Sequence, residues 1–356
     1  MNNKQCKQAV KTVKTFKNPS VAIVGATGAV GTTMLSILQA RDFPLSGLRL
    51  MASSRSAGQS VETKWGVVEI EDLENADPRG VDIALFSAGG ARSKAFAPGF
   101  AAAGATVIDN SSAFRMDASV PLVVANVNDA AIAAHNGIIA NPNCTTMAVM
   151  MAIGPLHRAA GLASLIATSY QSVSGSGQTG IAQLFREVDH FNQNRDGLAV
   201  GDWTDPGGDL YTRPIAYNVL PLAGSITEAG YTDEEWKLVN ETRKILDRDA
   251  IDVEPTCVRV PVAVGHGISA TMWFDRPLGL AEAQELLNAA PGVQLWDDSR
   301  VPTPLDSAGI DDVLVGRLRE TVGRAGGLSL FAVGDNLRKG AALNAVELAE
   351  RLLNTG

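Results

Sequence analysis

The chain has 356 residues, of which 46% are hydrophobic, with 35 glycines and a formal net charge of −8. That length suits two domains and the ordinary apolar content excludes a disordered chain, while the acidic balance excludes a nucleic-acid footprint, which needs a basic stripe or patch. No apolar stretch is long and charge-free enough to span a bilayer, so no membrane partner and a cytoplasmic location are expected.

The N-terminus carries Lys4, Lys7, Lys11, Lys14 and Lys17 with no acidic residue before position 20, and it lacks the apolar core of a signal peptide. Residues 1–18 read as a solvated, mobile basic tail. Cys6, Cys144 and Cys257 are an odd, widely spaced set without a Cys-x-x-Cys, which fits a reducing compartment. His135, His157, His190 and His266 show no metal-ligand spacing, so no structural zinc is expected.

The apolar run Val21 to Val24 ends in Gly25-Ala26-Thr27-Gly28-Ala29-Val30-Gly31, then Met34, Leu35, Ile37 and Leu38 follow at helical spacing. Strand, glycine turn and helix in that order let backbone N–H groups approach a pyrophosphate that side chains would block. The spacing is G-x-x-G-x-x-G, and an ordinary tight turn is the competing reading. A second strand over Leu48 to Met51 leads into Ser53-Ser54-Arg55-Ser56, with no acidic residue for a ribose 2′-hydroxyl. Arg and hydroxyls suit a 2′-phosphate, which favours NADP over NAD; a solvated loop cation is the alternative for Arg55. Further strands are expected at Val81 to Phe86, Ala105 to Ile108, Leu122 to Ala125 and Gly137 to Ala140.

Asn141-Pro142 breaks the last of these strands, and an apolar-periodic helix begins near Thr145. Asn143 is placed as N-cap and Cys144 in the first turn, where unpaired N–H groups lower a thiol pKa. On the residues alone Cys144 is either a small buried hydrophobe or a nucleophile. Beyond it, a strand over Leu165 to Val173, a turn at Ser174 to Gly177 and a helix over Thr179 to Asn192 are expected. A Gly-, Pro- and Asp-rich excursion over 194–230, a helix over Asp233 to Asp247 and strands near 255–262, 267–274, 313–320 and 328–333 follow. With a helix near 281–289, they imply a mostly antiparallel or mixed sheet, and residues 337–353 close as a helix.

GATGAVG at 25–31, SSAFR at 111–115, NPNCTT at 141–146, SYQSVSGSG at 169–177, ETRKIL at 241–246 and TCVRVPVAVGH at 256–266 together resemble aspartate-β-semialdehyde dehydrogenase. The match runs from about position 20 to the C-terminus, and PIAYNVLP with YTDEEWK is similar to the branch typified by Gram-positive and some other bacterial enzymes. The resemblance implies an α/β fold, with a Rossmann-type NADP-binding domain over 19–143, completed by helix 337–356, and an α+β catalytic and dimerisation domain over 144–336. It implies reversible NADP-dependent reduction of β-aspartyl phosphate to aspartate β-semialdehyde and phosphate, feeding lysine, threonine and methionine synthesis, in a homodimer.

By the same resemblance, Cys144 forms an acyl thioester and His266 is the acid/base that takes the thiol proton, although outside the motif His266 reads as a structural histidine. Gln171 orients substrate, and Asn143 with the Cys144 N–H holds the oxyanion. Arg115 and Lys237 match a phosphate-binding pair, Arg259 a carboxylate clamp and Glu234 the partner of the substrate amino group. Glu234 and Lys237 also suit a plain i,i+3 ion pair. Ser174, Gly175 and Asn336 match positions beside the nicotinamide, and Cys257 reads as packing. N-acetyl-γ-glutamyl-phosphate reductase differs around its cysteine, glyceraldehyde-3-phosphate dehydrogenase carries Ser-Cys-Thr-Thr-Asn, and a non-catalytic NADP-binding sensor predicts loss of Cys144 or His266.

Overall fold

The computed structural model describes residues 14–208 and 210–354. The first part of the chain builds a seven-stranded sheet from β1 (Ser20–Val24), β2 (Gly47–Ala52), β3 (Ser60–Thr63), β4 (Gly66–Asp72), β5 (Ile83–Phe86), β6 (Thr106–Asp109) and β7 (Ile138–Ala140). Its order is β3-β4-β2-β1-β5-β6-β7, and only the β3/β4 pair is antiparallel. Strands β1, β5 and β6 are buried along nearly their whole length, as continuous apolar runs covered on both faces must be. Helices α1 (Ala29–Ala40) and α2 (Gly90–Ala102) cross between them, so strand carboxyl ends and helix N-termini open on one edge.

Helix α3 (Cys144–Ala160) leaves that edge and is buried along most of its length. It packs against a six-stranded sheet made of β8 (Leu162–Gln171), β9 (Asp252–Arg259), β10 (His266–Phe274), β11 (Val293–Leu295), β12 (Val313–Glu320) and β13 (Gly327–Gly334). The order is β11-β12-β13-β10-β8-β9, with β8/β9 and β11/β12 parallel and the rest antiparallel, the mixed sheet expected. Helices α4 (Gln178–Phe191), α5 (Arg195–Val200), α6 (Asp233–Ile245), α7 (Leu280–Asn288) and α8 (Pro304–Ser307) fill the connections. The apolar stripe of α6 buries Leu238 and Ile245 in the same core as α3. The other face of the sheet exposes Ile166 and Tyr170 from β8.

Three expectations change. Leu122–Ala125 is buried but adds no strand, making only a bridge from Leu122 to Ala140. Asn128 Oδ1 accepts the Val124 N–H at 2.8 Å and Asn344 Oδ1 that of Ala125 at 2.9 Å, so side chains replace the ladder partners that would extend the sheet. The basic tail does not remain free to position 18. Phe16 is buried, donates its N–H to Leu352 O at 2.9 Å and accepts the Asn354 N–H at 2.7 Å. Lys4, Lys7 and Lys11 lie outside the described residues. The closing helix is divided into a π-helical turn over Arg338–Ala342 and α9 (Leu343–Arg351), whose Leu343, Val346 and Leu348 join the core of the first sheet.

Candidate active site

The loop from β7 to α3 sets the nucleophile. Asn143 caps α3 with its side-chain oxygen, accepting the N–H groups of Thr145 at 2.9 Å and Thr146 at 3.5 Å, and Cys144 is the first helical residue. Asn141 is fully buried, accepting from Asn344 Nδ2 at 2.6 Å and donating to Ala341 O at 3.1 Å. The π-helical turn thereby lies against the loop, and a Cβ added to Gly340 would stand 3.0 Å from Cys144 Cβ. Such turns recur where a backbone must be aimed at a functional group.

His266 opens β10, is 1% exposed, and places Nε2 3.4 Å from Cys144 Sγ. Its Nδ1 accepts the backbone N–H of Ser172 at 3.1 Å. That N–H can only donate, so the proton of the neutral ring sits on Nε2 and points at sulfur. Burial, then the charge of Arg259, bring the His266 pKa down to about 3. The Cys144 thiol is pushed up to about 11 by burial and then by Glu234, against the opposing pull of Arg115, Arg259 and the Thr145 amide. The thiol shift runs against the fall expected from the helix start. Burial, with Glu234 adding to it, outweighs the pull of the helix start and of the nearby arginines.

Gln171 ends β8 and Arg259 ends β9, and they are register partners across that parallel pair, which brings both to the Cys144 edge. Gln171 is 1% exposed and donates to Thr145 Oγ1 at 2.6 Å. Arg259 donates to Ser172 O at 2.8 Å, while its buried Nε has no hydrogen-bond partner among the described residues. Glu234 accepts from Asn143 Nδ2 at 3.0 Å and from Lys237 at 2.7 Å, so the expected i,i+3 pair forms and also reaches the nucleophile loop. Lys237 is held above its usual pKa: burial lowers it, but Glu234 and Asp233 outweigh that. Arg115 donates to Asn141 O at 2.9 Å, Asn110 O at 2.8 Å and Glu241 Oε1 at 3.1 Å. A cavity of about 470 Å³ is walled by Arg115, Lys237, Ser112 and Asn240, and another of about 290 Å³ by Arg259, Glu234 and Tyr211.

On the nucleotide side, a cleft of about 150 Å³ is lined by Gly25, Thr27, Gly28, Ser53, Ser87 and Arg92 among others. Gly25 has φ of 89° and a Cβ there would lie 2.3 Å from Ser87 O. Ala29, Val30 and Gly31 supply the first turn of α1, whose N-cap Gly28 gives no side-chain cap, so its leading amides are open to an anion. Those features fit a dinucleotide. Arg55 is exposed and, with Ser56, lies outside the cleft's lining. Ser174, Gly175 and Asn336 lie behind His266: Asn336 Oδ1 accepts from Gly265 N at 2.9 Å and from the hydroxyls of Ser172 and Ser174, each at 3.1 Å. A Cβ on Gly175 would meet Arg259 Nη1 at 2.8 Å.

Family models for the semialdehyde dehydrogenase NAD binding domain and dimerisation domain match residues 20–135 and 153–339. Aspartate-semialdehyde dehydrogenase of Streptomyces akiyoshiensis is 54% identical over 90% of this chain and 94% of its own, and that of Corynebacterium melassecola 50% identical over 91% and 96%. The chain belongs to the aspartate-semialdehyde dehydrogenase family. A crystal structure of aspartate semialdehyde dehydrogenase II complexed with ASA from Vibrio cholerae superimposes with a TM-score of 0.87 at 42% identity, covering 95% of this chain and 98% of that one.

As an aspartate-semialdehyde dehydrogenase, the chain carries site residues that sequence reasoning passed over. Glu241 is 1% exposed and accepts both Arg115 and the Asn143 N–H, the latter at 2.7 Å; burial pushes its carboxyl up while Arg115 and that amide pull it back. It sits seven residues after Glu234, the same face of α6, and that periodicity was its available signal. Arg92 lies two residues after Gly90, in the first turn of α2, and a basic residue at a second strand-to-helix turn was the cue. Ser172 acts through its backbone amide, which no side-chain pattern announces.

Proposed function

We infer that this dehydrogenase interconverts β-aspartyl phosphate and aspartate β-semialdehyde plus phosphate, with NADP as the nicotinamide cofactor and Cys144 as the acyl carrier. The observation that carries the reading is the 3.4 Å approach of Cys144 Sγ to His266 Nε2 beside two cation-walled cavities. The larger cavity, with Arg115 and Lys237, suits the phosphate; the smaller, with Arg259 and Glu234, suits the carboxylate and ammonium of the amino acid.

In the oxidative direction the Cys144 thiol gives up its proton to solvent, the thiolate attacks the aldehyde carbon, and the carbonyl π pair moves onto oxygen. The Nε2–H of His266 and the leading amide of α3 are the donors that stabilise this oxyanion. Asn143 caps the helix through Oδ1 and gives one Nδ2 hydrogen to Glu234, leaving the second as a further donor for the oxyanion. The nicotinamide supplies hydride acceptance or return. The oxyanion then collapses to the Cys144 thioester as hydride departs. Phosphate held by Arg115 and Lys237 attacks the acyl carbon, the Cys144 thiolate leaves, and the proton lost by hydrogen phosphate restores the thiol. Two easier steps thus replace one difficult acyl transfer. Ser53 and Arg92 in the cleft support a 2′-phosphate and hence NADP. A second copy of the chain is proposed to cover the sheet face that exposes Ile166 and Tyr170.

The test is a spectrophotometric assay of purified protein with aspartate semialdehyde, phosphate and either NADP or NAD. Phosphate-dependent NADPH formation is expected, with NAD poorer and acetylglutamate semialdehyde inert. Absence of phosphate-dependent reduction sinks the reading, and full activity of Cys144→Ala sinks the thioester. Light scattering on the eluting protein checks the dimer.

A further inference from the structure

We propose that Glu241 is a positioning residue that couples anion occupancy at Arg115 to the setting of the Cys144 loop; the inference rests on the phosphate role given to Arg115 above. One carboxylate, 1% exposed, spans two functional parts of the site. Its Oε1 takes Arg115 Nη1 at 3.1 Å and its Oε2 takes the Asn143 N–H at 2.7 Å, one residue before the nucleophile. Arg115 completes the clamp from the other side, donating Nε to Asn141 O at 2.9 Å. Residues 141–143 are therefore gripped at a carbonyl by the arginine and at an amide by the glutamate, and the arginine and glutamate grip each other.

The helical spacing explains why α6 can do this. Glu234, Lys237 and Glu241 recur at i, i+3 and i+7 on one face of α6, and the two carboxylates reach the loop at Asn143. All three bonds that fix this ensemble are charge-assisted, and in a buried site such bonds are short and strong. Glu241 also offsets the charge of Arg115. An anion arriving at Arg115 competes with Glu241 for the guanidinium, which leaves the carboxylate more fully committed to the Asn143 amide. The nucleophile loop is in this way tightened when phosphate is present to react.

Glu241→Gln tests the coupling, because glutamine keeps the shape and one acceptor but loses the charge and faces one donor with its own NH₂. Activity is measured as kcat and as KM for phosphate, alongside thermal unfolding. A kcat lower by about 10²-fold, the cost of misplacing a reacting group by about 1 Å, is expected with a phosphate KM unchanged or lower, since Arg115 is less neutralised. A kcat within twofold of the parent, or a fall in kcat accompanied by a rise in phosphate KM, overturns the proposal. Hydrogen exchange on the unaltered enzyme gives a second reading that needs no variant. Inorganic phosphate is expected to raise protection of amides over 141–146, and unchanged protection overturns the proposal. Failure of the underlying reading is separate: it shows as an unaltered enzyme with no phosphate-dependent activity.

Discussion

Alkylation of Cys144 against pH decides between two effects that act on the same sulfur. A thiol at a helix start with free amides would titrate at roughly 3.5–7.5, whereas burial and Glu234 push Cys144 up to about 11. At about pH 8 the buried site therefore holds only ~10⁻³ of the thiol as thiolate, since each unit is a factor of ten. The thiolate is the reactive form, so the rate of iodoacetamide labelling in substrate-free protein is expected to climb about tenfold per pH unit from 7 to 10 with no plateau. Cys144→Ala supplies the background, which includes Cys257, a buried thiol held at about 12. Glu234→Gln removes the second-ranked cause and leaves burial in place, so labelling near pH 8 should rise by roughly tenfold at most. A plateau below pH 8 in the parent protein, or a Glu234→Gln variant that labels more slowly, would refute the reasoning and restore the helix-start account.

Gly31→Ala puts a methyl 2.2 Å from Gly25 O, so the turn must open; titration with NADPH should show weakened binding and unfolding should show a loss of about 1–3 kcal/mol, whereas parent-like affinity counts against the cleft as the nucleotide site. Arg259→Lys replaces a planar fork with a point charge, and kcat/KM for the aldehyde should fall with little change in melting temperature; equal kcat/KM removes Arg259 from the carboxylate clamp. Lys339, 2% exposed, pairs with Glu347 at 2.5 Å, so Glu347→Ala strands a buried cation and should cost about 3–5 kcal/mol in denaturant unfolding, with a cost under about 1 kcal/mol counting against a buried pair.

Local patterns carried much of this molecule. The glycine turn, the Asn143 cap and the position of Cys144 all follow from residues close together in the chain, and they appear where the periodicity placed them. What failed depends on distant partners. The run Leu122–Ala125 has strand character, yet Asn344, far along the chain, takes its amide. The β3/β4 hairpin raised no expectation because its exposed, alternating residues resemble loop composition, and it is held mainly by pairing at the sheet edge. The thiol shift was assigned the wrong sign for the same reason. Helix position is visible in sequence, but the burial around Cys144 and the approach of Glu234 from α6 are tertiary facts. His266 was found through its motif, while its tautomer came from the Ser172 amide.

The π-helical turn at Arg338–Ala342 and α9 have a consequence for how the enzyme is made. Gly340 presses on Cys144, Asn344 holds Asn141 and Ala125, and Leu352 pairs with Phe16. All of those partners leave the ribosome long before residues 336–353 do. Until that last stretch emerges, the cysteine loop lacks one wall and the first sheet lacks part of its core. The reactive centre is therefore complete only once residues 336–353 are packed against it.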